Sequence, residues 1–155
     1  MNGIVLEGGA MRGIYTAGAL DVFLEKGISA GLVMGVSAGA VHGCSFVAGQ
    51  HGRSIRYYRK YCRDPRFMSF RSLLTTGDVV GEQFCYRDIP DRLDPFDHNA
   101  FEASPTKFFV VCSDLETGEA AYLPCSTLRG EAIDAIRASA SMPFLSRIVT
   151  VGGRL

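Results

Sequence analysis

Two short glycine-rich segments hold the residues of this chain best suited to chemistry. The first is Gly35-Val36-Ser37-Ala38-Gly39, a serine flanked by small residues and by a glycine two positions away on each side. Such neighbours allow a serine to sit on a sharp strand-to-helix turn. Its hydroxyl then projects into a cleft, and the following helix presents its positive end to developing negative charge. That is the arrangement of a nucleophile elbow, with Ser37 as the nucleophile and Gly35 and Gly39 as its flanks. The same spacing also suits a plain tight turn carrying an ordinary serine, so the pattern needs support from elsewhere in the chain.

The second segment is Gly8-Gly9-Ala10-Met11-Arg12-Gly13. A glycine-rich turn between a strand and a helix exposes backbone N–H groups that can bind a phosphate or stabilise a tetrahedral oxyanion. The rival reading is a dinucleotide fingerprint, which requires an acidic residue at the end of the next strand, about twenty residues on. Here the next strand runs into Gly35-Val36-Ser37, so that requirement is not met. Arg12 is suited either to an anionic headgroup or to bracing the loop itself.

The other titratable residues read as structural. His42, on the helix that begins at Ser37, is expected to be a packed or capping histidine and not a base. Asp114 stands at a strand end, where its carboxylate would cap the local backbone. His98 is the histidine far enough downstream of Ser37 to complete a Ser-Asp-His triad, which would make the fold an α/β-hydrolase. His42, His51 and His98 have no metal-ligand spacing, so neither a metal site nor another cofactor is expected. Cys44, Cys62, Cys85, Cys112 and Cys125 are odd in number and contain no C-x-x-C pair, which points to reduced thiols.

These candidates need elements to position them. Gly3 to Glu7 reads as a buried strand. Between Gly13 and Lys26, Ile14, Ala17, Leu20, Phe23 and Leu24 recur at helical spacing, and Gly27 is a stop. Leu32 to Val36 is a second strand, followed by a helix to Ala48. Two strands, each followed by a helix, argue for a parallel α/β sheet. A basic helix is expected over Ser54–Cys62, then loops and short helices over 63–105. Strands are expected at Lys107–Cys112 and Ala120–Leu123, joined by a turn from Asp114 to Gly118. Arg129–Ala138 reads as an amphipathic helix with Ala132, Ile133 and Ile136 inward. Arg147–Leu155 reads as a strand entering a glycine turn.

Length and composition set the outer bounds. At 155 residues, 47% hydrophobic and 21% charged, the chain suits one domain over residues 1–155 with a substantial core. Sixteen basic residues balance sixteen acidic ones, so no net field favours nucleic acid. No signal-peptide pattern opens the sequence, and no run of about eighteen apolar residues occurs. A cytoplasmic protein is the expectation, with peripheral membrane contact as an option. The stretch from Arg53 to Arg71 interleaves arginines with tyrosines and phenylalanines. It suits an anionic lipid surface, but a solvated helix with its tyrosines against the core is the favoured reading.

Taken together, the two glycine turns resemble the patatin-like phospholipases and acyl hydrolases, in particular their bacterial branch. Two later blocks strengthen the resemblance: Val110-Val111-Cys112-Ser113-Asp114-Leu115-Glu116-Thr117-Gly118-Glu119 and Ala138-Ser139-Ala140-Ser141-Met142-Pro143. The resemblance implies a three-layer α/β fold with a mainly parallel sheet and a Ser–Asp dyad that cleaves phospholipids or other acyl esters. It places the nucleophile at Ser37 and the oxyanion loop at Gly8, Gly9, Ala10 and Gly13, with Arg12 at the family's basic position. The dyad's aspartate belongs to an Asp-Gly-Gly or Asp-Gly-Ala turn, and no Asp-Gly dipeptide occurs in the sequence. The expectation is therefore a fragment, the N-terminal part of the catalytic domain, inactive by itself. A non-catalytic lipid-binding or interaction module on the same fold is the alternative.

Overall fold

The computed structural model describes residues 2–155. The chain opens with β1 (Gly3–Leu6), a short 3₁₀ turn at Ala10–Gly13 and α1 (Ile14–Glu25). β2 (Leu32–Val36) leads directly through Ser37 into α2 (Ala38–Val47), and α3 (Arg53–Tyr61) follows. Residues 63–105 contain α4 (Phe70–Thr76), a π-helical segment at Phe84–Leu93 with Pro90 inside it, and α5 (His98–Ala103). β3 (Lys107–Ser113) and β4 (Ala120–Pro124) form a hairpin. A 3₁₀ turn at Gly130–Ile133 then runs into α6 (Asp134–Ala140).

The four strands make one sheet in the order β1-β2-β3-β4, parallel except for β4. Strand alternation sorts the side chains by face. Ile4, Val33 and Phe108 lie abreast in register, and Leu6, Gly35 and Val110 form the next rank. This face is the core: Val33 and Val110 are fully buried, and Leu20, Ala40, Cys44, Phe101 and Ile136 pack with them. Removing a Val side chain from water contributes about 1.5–3 kcal/mol, so these ranks anchor the sheet. The other face is more open, with Val5 78% and Tyr122 57% exposed. The mixed α/β architecture with a mainly parallel sheet flanked by helices agrees with the sequence reading.

α2 can lie close on β2 because the contact points lack side chains. A Cβ on Gly35 would stand 2.5 Å from the backbone of Ala40, and one on Gly39 would collide with the carbonyls of Leu6 and Glu7. Real Cβ atoms do not approach backbone so closely. The glycines of the elbow therefore set the helix-to-sheet distance as well as the turn.

The stretch from Arg53 to Arg71 is tied into the structure through most of its aromatic residues and three of its arginines. Tyr57, Tyr61 and Phe67 pack with Phe84 and Ile89 in a second cluster, which joins α3 to the π-helical segment. Arg53 is 4% exposed. It donates to the Asp94 carbonyl at 2.8 and 3.2 Å and to Ser45 Oγ at 3.2 Å, with the Asp94 carboxylate 3.7 Å away. Arg56 grips the Asp94 carboxylate with two bonds of 2.7 and 2.8 Å, and Arg66 pairs with Asp64. Arg59, Lys60, Arg63 and Arg71 remain exposed.

Three expectations need correction. The tail forms no strand in the sheet: Val151 and Arg154 close a tight turn over Gly152 and Gly153, both at positive φ. The last helix starts as a 3₁₀ turn, which rotates its inner face. Ala135 and Ile136 are buried, while Ala132 and Ile133 are half-buried. It also runs on to Ala140, past the expected end at Ala138.

Candidate active site

Ser37 adopts φ 51° and ψ −119°, a backbone conformation that costs a residue with a Cβ about 1–3 kcal/mol. The surroundings enforce it from several sides. Its carbonyl accepts from Ala40 N at 2.9 Å and Val41 N at 3.1 Å, the first turn of α2. Its own N–H donates to Ser139 Oγ at 2.7 Å. Gly35 and Gly39 leave no room for the turn to relax. The side chain therefore sits on a rigid bend at the carboxyl edge of the parallel strands.

The Gly8–Gly13 loop passes directly beside it. A Cβ on Gly8 would lie 3.2 Å from Ser37 Cβ, so only glycine fits between the two turns without displacing the serine. Ala10 takes φ 46°, a left-handed position occupied by a residue with a Cβ. Arg12 N donates to Gly9 O at 3.0 Å, closing the 3₁₀ turn. Among the described residues the N–H groups of Gly8 and Gly9 donate no hydrogen bond, and the opening turn of α2 leaves its first amides without helical acceptors. At the loop's far end Gly13 is buried, with a Cβ position 2.7 Å from Ala38 Cβ and 3.0 Å from His42 Nε2. The two segments singled out in the sequence thus meet edge to edge.

They open onto one cavity of about 1040 Å³. Gly9, Ala10, Arg12, Ser37 and Ala38 line it, whereas Gly8 and Gly13 support the loop without lining it. Its apolar walls include Val41, Tyr58, Met68, Ile89 and Met142. A mostly apolar cleft with a few convergent polar groups is the usual form of a small-ligand site. Cys44 and Cys85 also face it, but burial pushes their thiols up to about 11 and about 12. Both stay protonated near neutral pH, the form in which a thiol is a weak nucleophile.

The family model of the patatin-like phospholipases matches residues 4–155, nearly the whole chain. The chain belongs to that family. Its members form a lipid acyl hydrolase family, and the elbow after the second strand of this mainly parallel sheet agrees with membership. No curated protein matches the chain.

Within this patatin-like domain the histidines and Asp114 occupy separate surroundings. His42 is 1% exposed, stacks edge-on against Tyr58 at 5.1 Å, and has no hydrogen-bond partner at either ring nitrogen. Burial lowers its pKa to about 4, so it is a neutral packed ring at neutral pH. His98 lines the cavity, and burial lowers its pKa as well. Asp114 is engaged in its turn. Its Oδ1 accepts from Thr117 N at 3.0 Å, Glu116 N at 3.1 Å and Thr117 Oγ1 at 3.1 Å, while Oδ2 takes Arg154 Nη2 at 2.6 Å. These bonds, the Thr117 backbone first among them, hold its carboxyl below the usual range.

Sequence reasoning missed Ser139 as a contact of Ser37. It also missed Arg87 and Arg129, which line the same cavity. The block containing Ser139 was visible as a motif, but no local spacing signals a bond across 102 residues.

Proposed function

We propose that Ser37 is the nucleophile of a serine acyl hydrolase that cleaves ester bonds of phospholipids or related acyl lipids. The observation that carries this reading is the contact between the two turns, which sets amide donors of the glycine loop beside a strained serine at the mouth of an apolar cavity. The Oγ attacks the ester carbonyl while a base removes its proton. Amides of the Gly9–Ala10 loop and of Ala38 at the start of α2 stabilise the oxyanion. Collapse of the tetrahedral intermediate expels the alcohol, and water then releases the acyl group from Ser37. The acyl chain lies against the apolar walls, and Arg12 faces the ester's polar end.

The base in this reading is the aspartate of the family's Ser–Asp dyad, on an Asp-Gly turn that residues 1–155 do not contain. Asp114 is a poor substitute, because both of its oxygens are already engaged. Without the base the serine loses on the order of 10²–10⁴ in rate. Residues 1–155 alone should therefore react slowly or not at all.

A fluorophosphonate probe tests the assignment in a chain that includes the dyad aspartate. Labelling should map to Ser37 and disappear in Ser37→Ala; equal labelling of the alanine variant would remove Ser37 from the mechanism. Activity that survives His98→Ala would separate this dyad from a Ser-Asp-His triad.

A further inference from the structure

Ser139 stands 102 residues beyond Ser37 in the chain, near the end of α6, yet its hydroxyl bonds directly to the elbow. Its Oγ accepts from Ser37 N at 2.7 Å and donates to Val111 O at 2.6 Å. Val111 lies next to Val36 in the parallel register of β2 and β3, so both bonds fall at the carboxyl edge of the sheet. The polarity of the pair is fixed. An amide N–H can only donate and a carbonyl can only accept, so the Ser139 proton points to Val111 and a lone pair points to Ser37. A hydroxyl can serve both roles at once in this space; a methyl can serve neither.

We propose that Ser139 is a positioning residue for Ser37, a strut that ties the elbow to β3 and holds the serine at its left-handed φ. One consequence concerns the elbow itself. A residue at φ 51° tends to relax, and the Ser139 bond fixes the plane of the peptide preceding it. Another concerns the oxyanion. With its N–H committed to Ser139, Ser37 cannot offer its own amide to the substrate oxygen. The donors must come from the Gly9–Ala10 loop and the first turn of α2. The backbone half of this proposal is independent of catalysis, whereas the effect on reactivity rests on Ser37 being the nucleophile.

Amide-resolved NMR hydrogen exchange on the 155-residue chain tests the backbone half directly. The Ser37 amide should be protected in the unmodified chain. It should exchange at least about tenfold faster in Ser139→Ala, with the β2 amides of Val33 and Met34 unchanged, and regain protection in Ser139→Thr. A Ser37 amide that exchanges as freely as exposed loop amides in the unmodified chain overturns the proposal. So does full protection in Ser139→Ala. If the alanine variant does not fold, the unmodified chain and the threonine variant still decide.

In a chain that includes the dyad aspartate, Ser139→Ala should slow fluorophosphonate labelling by about ten- to a hundredfold at unchanged probe affinity, and Ser139→Thr should restore it. An unchanged labelling rate would sink the effect on reactivity. Labelling that persists in Ser37→Ala would instead refute the nucleophile, with the exchange result standing apart from it.

Discussion

Ser37 and Ala10 both carry a Cβ into the left-handed region, at φ 51° and 46°, but the fold treats them differently. Ser37 is clamped by two helix amides, the Ser139 hydroxyl and two glycines at which any Cβ would run into backbone. Ala10 sits on an exposed turn, and a Cβ on its neighbour Gly9 would find no atom nearer than 3.8 Å. Strain at the elbow is imposed by packing on every side. Strain in the loop is balanced by little beyond its own 3₁₀ turn. The backbone of the serine is packed tightly from several sides, whereas the turn at Gly9 and Ala10 has open space beside it.

Gly39→Ala should break the elbow side of this comparison most severely. The new methyl meets the carbonyls of Leu6 and Glu7, and backbone cannot move aside without displacing β1 from α2. Chemical denaturation should show a loss of about 3 kcal/mol or more, or no folded protein at all.

The packing between the two turns can be probed by pH through His42. The unfolded chain binds a proton at this residue as pH falls through 6.5, whereas the folded chain resists until about 4. Its contribution is therefore intact above pH 6.5 and is lost progressively between pH 6.5 and 4, by roughly 3 kcal/mol. Denaturation midpoints measured at intervals across that window check the sign. An imidazole that titrates near 6.5 in the folded chain would show that the wedge against Gly13 is open to water.

On the loop side the effects should be small and of opposite sign. Ala10→Gly relieves the left-handed Cβ and should stabilise the chain by up to about 1 kcal/mol, read as a raised unfolding midpoint. Gly9→Ala has room for its methyl and should cost less than about 1 kcal/mol. A loss as large as that of Gly39→Ala would mean the loop is clamped as tightly as the elbow, and the contrast drawn above would fail.

Legibility followed the same division between local and long-range order. The elements carrying both turns were readable because strand alternation, helical spacing and glycine punctuation act within a few residues. β2 ends at Val36 as expected, and α1 buries Ala17 and Leu20 from its apolar stripe. Residues 63–105 were less readable. The π-helical segment at Phe84–Leu93 contains a proline and has no simple period, yet its Phe84 and Ile89 close the second cluster. The arginines of 53–71 looked alike in sequence. Burial set Arg53 apart, and a paired bond to the Asp94 carboxylate set the exposed Arg56 apart, from Arg59 and Lys60.

The sequence by itself determined the two glycine turns, the strand-to-helix order around them and the family resemblance, because each depends on residue types a few positions apart. Only the tertiary structure decided that Gly8 lies against Ser37, that Ser139 holds the Ser37 amide, and that burial raises the pKa of the Cys44 and Cys85 thiols. Those outcomes depend on which distant segments share a sheet edge and how much water they exclude. Local periodicity carries no record of either.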